Sequence, residues 1–63
     1  MTFLYIKENG SREKRIVKPI EIRYMRYNGY QPYRYYLIAY DYKRQANRNF
    51  REDRIFNVEE YNN

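Results

Sequence analysis

The sequence predicts an all-β fold, a small and strongly bent sheet of five or six short strands. Runs of aromatic and β-branched residues alternate along the chain with turn residues, including two Asn-Gly pairs. No segment has the periodicity of an amphipathic helix. The 63 residues are enough for one domain, residues 1–63. Because a flat sheet of this size cannot enclose a core, we expect a small barrel, SH3-like or Sm-like.

The first two predicted strands form a hairpin. The first spans residues 2–7, and Asn9-Gly10 follows it. Asn-Gly between two apolar runs is a strong hairpin signal, since both central positions of the tight turn favour positive φ. The second strand spans residues 13–17 and is predicted to end at Pro19, which lacks the N–H that a central ladder requires.

The third predicted strand spans residues 20–27 and alternates between two faces. Ile20, Ile22 and Tyr24 share one face, which we expect to be buried. The second Asn-Gly pair, residues 28–29, then predicts a turn.

The second half of the chain begins with its most apolar segment. Residues 33–40 are predicted to form a central strand, and residues 41–46 a polar connection. A short strand is expected at residues 47–51, followed by a turn at 52–55 with room for one helical turn. Residues 56–61 are predicted to add a last short strand.

The composition argues against several classes of function. The chain has no cysteine and no histidine, which removes disulfides, thiolate metal sites and the commonest general base. No nucleophile–base pair, phosphate-binding loop or metal-ligand spacing is present, so we expect no enzyme, no metal and no cofactor. No signal peptide and no apolar run of about 20 residues is found, which predicts no membrane span. The absence of cysteine fits a cytoplasmic protein.

Charge and aromatic content favour a polyanionic partner. The net charge is +5, and ten tyrosines are interleaved with arginines. Arginine binds phosphates and tyrosine rings stack on bases, which is the combination that binds single-stranded nucleic acid. The predicted ligand-binding residues are Tyr35, Tyr36, Arg48, Arg51, Arg54, Arg15 and Arg34. For Arg54 an internal salt bridge to Asp53, Asp41 or Glu52 is the alternative.

Separated motifs between about residues 3 and 55 resemble the WYL domain family. The triplet Tyr35-Tyr36-Leu37 matches the one that gives the family its name, with Tyr35 in the place of tryptophan. Downstream, Arg48 and Phe50 precede Asp53-Arg54-Ile55, as in the family signature. Upstream, the hairpin at Tyr5 returns through Arg15, Val17 and Pro19. Glu52 stands where the family prefers an apolar residue.

The resemblance implies a small Sm-like barrel that senses a ligand, often single-stranded nucleic acid or a nucleotide-like molecule. Such domains commonly occur in bacterial transcription regulators and in phage-defence or CRISPR-associated proteins. We therefore expect a stand-alone regulatory module that binds an oligonucleotide. The alternative is a protein-interaction module, either a homodimer or an antagonist of a larger regulator. Nucleic-acid binding requires arginines clustered around the rings, whereas a protein interface requires an apolar patch with dispersed charge.

Overall fold

A computed structural model describes residues 1–60 as one antiparallel sheet in the strand order β4-β3-β2-β1-β5. The strands are β1 (Thr2–Ile6), β2 (Arg12–Met25), β3 (Arg34–Asp41), β4 (Ala46–Arg51) and β5 (Ile55–Glu59). A short 3-10 turn, Glu52–Arg54, joins β4 to β5. The predictions of an all-β fold and of a turn after β4 are confirmed. Residue 61, the predicted end of the last strand, lies outside the described residues.

The sheet is bent so far that its ends approach each other. β1 and β4 are separated by two strands in the sheet order, yet the Phe50 ring lies 5.2 Å from the rings of both Phe3 and Tyr5. The backbone N–H of Arg51 also donates a hydrogen bond to the Tyr5 hydroxyl (3.1 Å). Within residues 1–60 no ladder joins β4 to β5, so the sheet is open and a closed SH3-like or Sm-like barrel stays a prediction.

β2 is one continuous strand of 14 residues, where the sequence predicted two. The prediction that Pro19 ends a strand was wrong. The β2–β3 register shifts between Pro19 and Glu21, and such a bulge bends the strand and accommodates a residue that has no N–H. The first part of β2 pairs with β1 through Ile16, and the part from Val17 onward pairs with β3.

Beyond Pro19, β2 pairs within residues 1–60 with β3 alone. We call residues 20–35 the arm; the principal extents of the molecule are 41 × 24 × 20 Å. Ile20, Ile22 and Tyr24 are 52%, 70% and 58% exposed, so the prediction that they form a buried face was wrong. β1 pairs with β2 only as far as Ile16, so no strand lies beside β2 on that edge of the arm.

The core is small and lies where β1, β2, β3 and β4 converge. Its buried apolar residues are Phe3, Val17, Leu37, Ala39 and Phe50, with Met1, Tyr5 and Ile55 packed against them. The expectation that so short a chain cannot hide all ten tyrosines is confirmed. Of the nine tyrosines within residues 1–60, six are at least half exposed, namely Tyr24, Tyr27, Tyr30, Tyr33, Tyr35 and Tyr42.

A buried ion pair lies beside this core. Arg15 and Asp41 are 5% and 1% exposed, and Arg15 Nη1 donates to Asp41 Oδ2 at 3.2 Å. The backbone N–H groups of Lys43 and Arg44 donate to Asp41 Oδ1 at 3.0 and 3.2 Å. Burial opposes ionisation of Asp41, but these hydrogen bonds and the charges of Arg44 and Arg15 outweigh it and hold its pKa below the usual value.

Glu13 extends this ion pair to the surface. Its carboxylate accepts a hydrogen bond from Arg44 Nη2 at 2.9 Å and lies 2.9 Å from Lys7 Nζ. The hydrogen bonds from Lys7 and Arg44 lower the pKa of Glu13 from 4.5 to about 2. Glu13, Asp41 and three of the basic side chains therefore form one connected network.

We expect the stability of the protein to fall in acid because of this network. The pKa values of Glu13 and Asp41 are lower in the folded state, so the unfolded chain binds protons first as the pH drops. The free energy of unfolding should be constant from neutral pH to about pH 5, then fall toward about pH 2. Urea unfolding across this range measures it. In the Glu13→Gln variant the free energy of unfolding should depend less steeply on pH in acid. The prediction would be contradicted if the urea midpoint of the unsubstituted protein stayed the same down to about pH 2.5.

Candidate ligand-binding cleft

A polar cleft of about 180 Å³ lies between the end of β4, the end of β1 and the loop of the arm. It is lined by Tyr5, Glu8, Tyr27, Gln31, Arg34, Tyr36, Asn49 and Arg51. Three phenol groups, two guanidinium groups, two carboxamides and the carboxylate of Glu8 thus surround one space. Pockets for drug-sized molecules measure about 300–1,000 Å³, so this cleft is large enough for a phosphate group or a single base.

Arg51, the last residue of β4, is held in place from two sides. Its Nε and Nη2 donate to the two carboxylate oxygens of Asp53 at 3.0 and 2.7 Å. Its backbone N–H donates to the Tyr5 hydroxyl. These hydrogen bonds, which Arg51 donates to Asp53, raise the pKa of Arg51, so the guanidinium stays charged. An arginine has five N–H donors, and those not directed at Asp53 remain for a ligand.

A second cation, Arg34, lies on the neighbouring strand β3. It is partly buried and lies opposite Met25 in the β2–β3 ladder. The hydrogen bond from Arg51 is the main cause of the lowered pKa of Asp53, and the charges of Arg34 and Arg54 add to it. Arg34, Arg51 and Arg54 all favour the ionised form of Asp53, so three guanidinium groups here face two carboxylates, those of Asp53 and Glu8.

The aromatic part of the cleft combines a buried ring with an accessible one. Tyr36 is buried and meets the ring of Tyr27 edge-on at a centroid distance of 5.3 Å. Tyr27 is more than half exposed, and its hydroxyl accepts a hydrogen bond from Asn49 Nδ2 at 2.9 Å. Tyr27 is thus the ring with an accessible surface in the cleft, while Tyr36 supports it.

The structure brings three of the seven predicted site residues into this cleft: Arg34, Tyr36 and Arg51. Arg54 lies next to it, and its Nη1 donates to the carbonyl of Ile6 at 3.3 Å, which ties the 3-10 turn to β1. Among the described residues Arg54 forms no ion pair with Asp53, Asp41 or Glu52, the three partners considered from the sequence.

The other three predicted residues lie elsewhere. Tyr35 is on the arm, where its ring lies 4.8 Å from that of Tyr24. Arg48 is exposed on β4 opposite Ala39, and Arg15 is in the buried ion pair. Side chains alternate along a strand, so Tyr35 and Tyr36 point to opposite faces, as do Arg48 and Arg51. Ligand binding by Tyr35, Arg48 and Arg15 stays a prediction.

Several cleft residues were missing from the sequence-based set. Tyr5, Tyr27, Gln31 and Asn49 come from a strand end, the loop of the arm and β4. One sequence signal was available for Tyr27, which directly precedes the Asn28-Gly29 turn where the chain reverses toward β3. For Tyr5 and Asn49 the sequence holds no such signal, because their approach depends on how far the sheet bends.

Residues 1–60 lack two further kinds of feature. No group of three or more acidic side chains is placed to hold a metal ion among these residues. No helix of the same part of the chain is long and apolar enough to cross a membrane.

Comparison with protein families assigns the chain. The family model for the WYL domain matches residues 1–60 of the 63. Searches of curated proteins and of solved structures gave no match. WYL domains are regulatory modules of the ligand-binding type. Because the match covers nearly the whole sequence, including the triplet in β3 and the arginine at the end of β4, the chain belongs to the WYL domain family.

Proposed function

We propose that this WYL domain binds single-stranded nucleic acid, or a nucleotide-like ligand, in the cleft between β4 and the arm. The observation that carries the proposal is the convergence of Arg34, Arg51 and the accessible ring of Tyr27 on one polar space. The proposed activity is binding without catalysis, and it would serve as the sensing step of a regulator in transcription or phage defence.

Several groups in the cleft have a part in this proposal, whereas the carboxylate of Glu8, which also lines it, disfavours a phosphate placed next to it. Arg51 is oriented by Asp53 and keeps donors for a phosphate, which a guanidinium binds through two parallel hydrogen bonds. The accessible ring of Tyr27 can stack on a base, an interaction worth about 1–3 kcal/mol by alanine substitution. The carboxamides of Gln31 and Asn49 carry both donors and acceptors and can contact a base edge.

The size of the cleft limits what it can bind directly. At about 180 Å³ it holds one base or one phosphate, so a longer strand would continue outside it. The exposed Arg48 on β4 offers a further phosphate contact on the protein surface. A protein that contacts three to five phosphates of a single strand should show a slope of log affinity against log salt of about −2 to −3.5.

We expect the double variant Arg34→Ala/Arg51→Ala to bind short single strands about 10- to 100-fold more weakly. Its salt slope should be about 0.7 smaller in magnitude, since the contact to the one phosphate that fits in the cleft is lost. Fluorescence anisotropy with labelled single-stranded DNA, single-stranded RNA and duplex, each at two salt concentrations, measures both quantities.

The matched control is Arg12→Ala/Lys14→Ala, which removes the same charge from exposed positions on β2, away from the cleft. It should weaken binding much less than the double variant in the cleft. If both double variants lost the same amount of affinity, the nucleic acid would be attracted to the net charge of the protein and not to the cleft. Absence of binding to all three nucleic acids at low salt would overturn the proposal.

A further inference from the structure

One edge of the arm is uncovered. From residue 20 onward β2 has β3 on one side, and within residues 1–60 no strand lies on its other side. The β2–β3 register is regular from Glu21 to Met25, with no proline and no further shift. Such an edge presents unpaired backbone N–H and C=O groups and can accept another strand.

The sequence of this edge is complementary to itself. We consider two copies of residues 20–24 (Ile-Glu-Ile-Arg-Tyr) paired antiparallel, with the two-fold axis at Ile22. In this register Glu21 lies opposite the partner's Arg23, and Arg23 lies opposite the partner's Glu21. Ile22 then meets the partner's Ile22, and Ile20 meets the partner's Tyr24. Directly opposed residues of an antiparallel pair are neighbours on one face, and opposite charges there stabilise the pairing. Glu21 and Arg23 already form an ion pair within one copy, so in the dimer each of these charges would lie beside two opposite charges.

The paired strands would have one apolar face and one charged face. Ile20, Ile22 and Tyr24 alternate with the charged residues, so the apolar side chains of both copies lie on one face and the ion pairs on the other. Tyr24 already contacts two rings of the arm, Tyr33 at 5.4 Å and Tyr35 at 4.8 Å. The pairing would cover part of this exposed apolar patch, which a monomer rarely leaves open.

We propose that two copies of this chain dimerise through residues 20–24, forming a continuous β3-β2-β2-β3 sheet about a two-fold axis. Both surfaces are the same patch, as a two-fold axis requires. Lys18 would approach the partner's Arg26 at the ends of the ladder, which limits favourable pairing to about five residues. The proposal does not depend on the cleft, because none of its lining residues belongs to this segment.

The other two sheet edges fit a two-fold pairing less well. β4 carries Arg48 and Arg51 as its charged residues, so no register of β4 with itself gives an ion pair. β5 carries only Glu59, and Asn57 has a φ of 54° where the register with β1 is irregular. β4 of one copy with β5 of the next would give a head-to-tail chain or ring rather than a dimer.

Charge reversal tests the proposed register. Sedimentation velocity of the full chain should show a concentration-dependent dimer. Arg23→Glu or Glu21→Arg places like charges opposite each other twice, and each should raise the dissociation constant about tenfold or more. The combined variant Glu21→Arg/Arg23→Glu restores opposite charges and should restore the dimer. Arg12→Glu makes the same charge change as Arg23→Glu at an exposed position of β2 that is already paired with β1, and should have little effect.

Crosslinking provides a second measurement that does not depend on charge. The chain has no cysteine, so Ile22→Cys introduces a single thiol at the proposed two-fold axis. Opposed Cβ atoms lie about 4.5–5.5 Å apart, close to the geometry of a disulfide, so diamide should oxidise the two thiols to an intermolecular disulfide. Arg12→Cys should not crosslink. The proposal would be overturned if the protein were a monomer at all concentrations, or if it formed assemblies larger than a dimer. It would also be overturned if charge reversal left the dimer unchanged, or if the combined variant did not restore a dimer that the single variants had lost.

Discussion

Asp41→Asn is expected to lower the free energy of unfolding by about 3–5 kcal/mol, the cost of removing one partner of a buried ion pair. A protein of 63 residues has about 3–9 kcal/mol of stability in total, so much of this variant should be unfolded at room temperature. Asparagine keeps the size of the side chain but not its charge, and Arg15, which is 5% exposed, would stay buried without its main counter-ion.

Asp53→Asn is the matched control for this prediction. The Asp53 carboxylate also pairs with an arginine, and it accepts two hydrogen bonds from Arg51, at 3.0 and 2.7 Å, where Asp41 accepts one from Arg15. Its side chain is 57% exposed, however, and an exposed ion pair contributes about 0–1 kcal/mol. Urea unfolding followed by circular dichroism compares the two variants. Equal costs would mean that burial does not set the contribution of these ion pairs.

The strands and turns of this fold could be predicted from the sequence because their signals are local. The chain turns at Asn9-Gly10 as expected, although Gly10 has a positive φ (84°) and Asn9 does not. Asn9 Oδ1 instead accepts hydrogen bonds from the backbone and side chain of Ser11. The turn at Glu52–Arg54 and the central position of β3 are also as predicted, since β3 lies between β2 and β4.

The extent of β2 could not be predicted because it depends on contacts between distant segments. Proline lacks an N–H wherever it occurs, but whether a strand ends there or bulges depends on the strands beside it. Alternation in residues 20–24 correctly separates two faces, yet it cannot show that β1 is too short to cover this part of β2. The same pattern that indicated a buried face therefore belongs to an exposed one.

The cleft could be predicted only in part, for a related reason. Interleaved arginine and tyrosine indicated Arg34, Tyr36 and Arg51, which lie close together on the neighbouring strands β3 and β4. Arg15 carries the same charge but points into the protein. The sequence did hold a signal for its burial. Arg15 lies two residues before Val17 and so on the same face of β2, and a possible counter-ion, Asp41, ends the apolar strand β3. Composition alone cannot distinguish a buried arginine from a surface one.

We expect Phe50→Ala to be the most destabilising substitution in the apolar core, at about 3–5 kcal/mol, because it leaves a cavity that the neighbouring residues cannot fill. Phe50 is 2% exposed, and its ring is the one that both Phe3 and Tyr5 contact from β1. Phe56→Ala removes the same atoms from a ring on β5 that is 47% exposed, and should cost about 1 kcal/mol or less. Chemical unfolding of the two variants measures the difference, and equal costs would contradict the prediction.

Phe50 also connects the core to the cleft, which a milder substitution can test. The Phe50 ring packs against Tyr5, and the Tyr5 hydroxyl accepts the hydrogen bond from the backbone N–H of Arg51. Phe50→Leu keeps most of the apolar volume and should cost less than about 1.5 kcal/mol, so the protein stays folded. Tyr5 then loses a supporting ring, and binding of short single strands should weaken a few-fold in anisotropy measurements on fully folded protein. If binding were unchanged, the contact from Phe50 through Tyr5 would not position Arg51. The guanidinium would then be held by Asp53 alone.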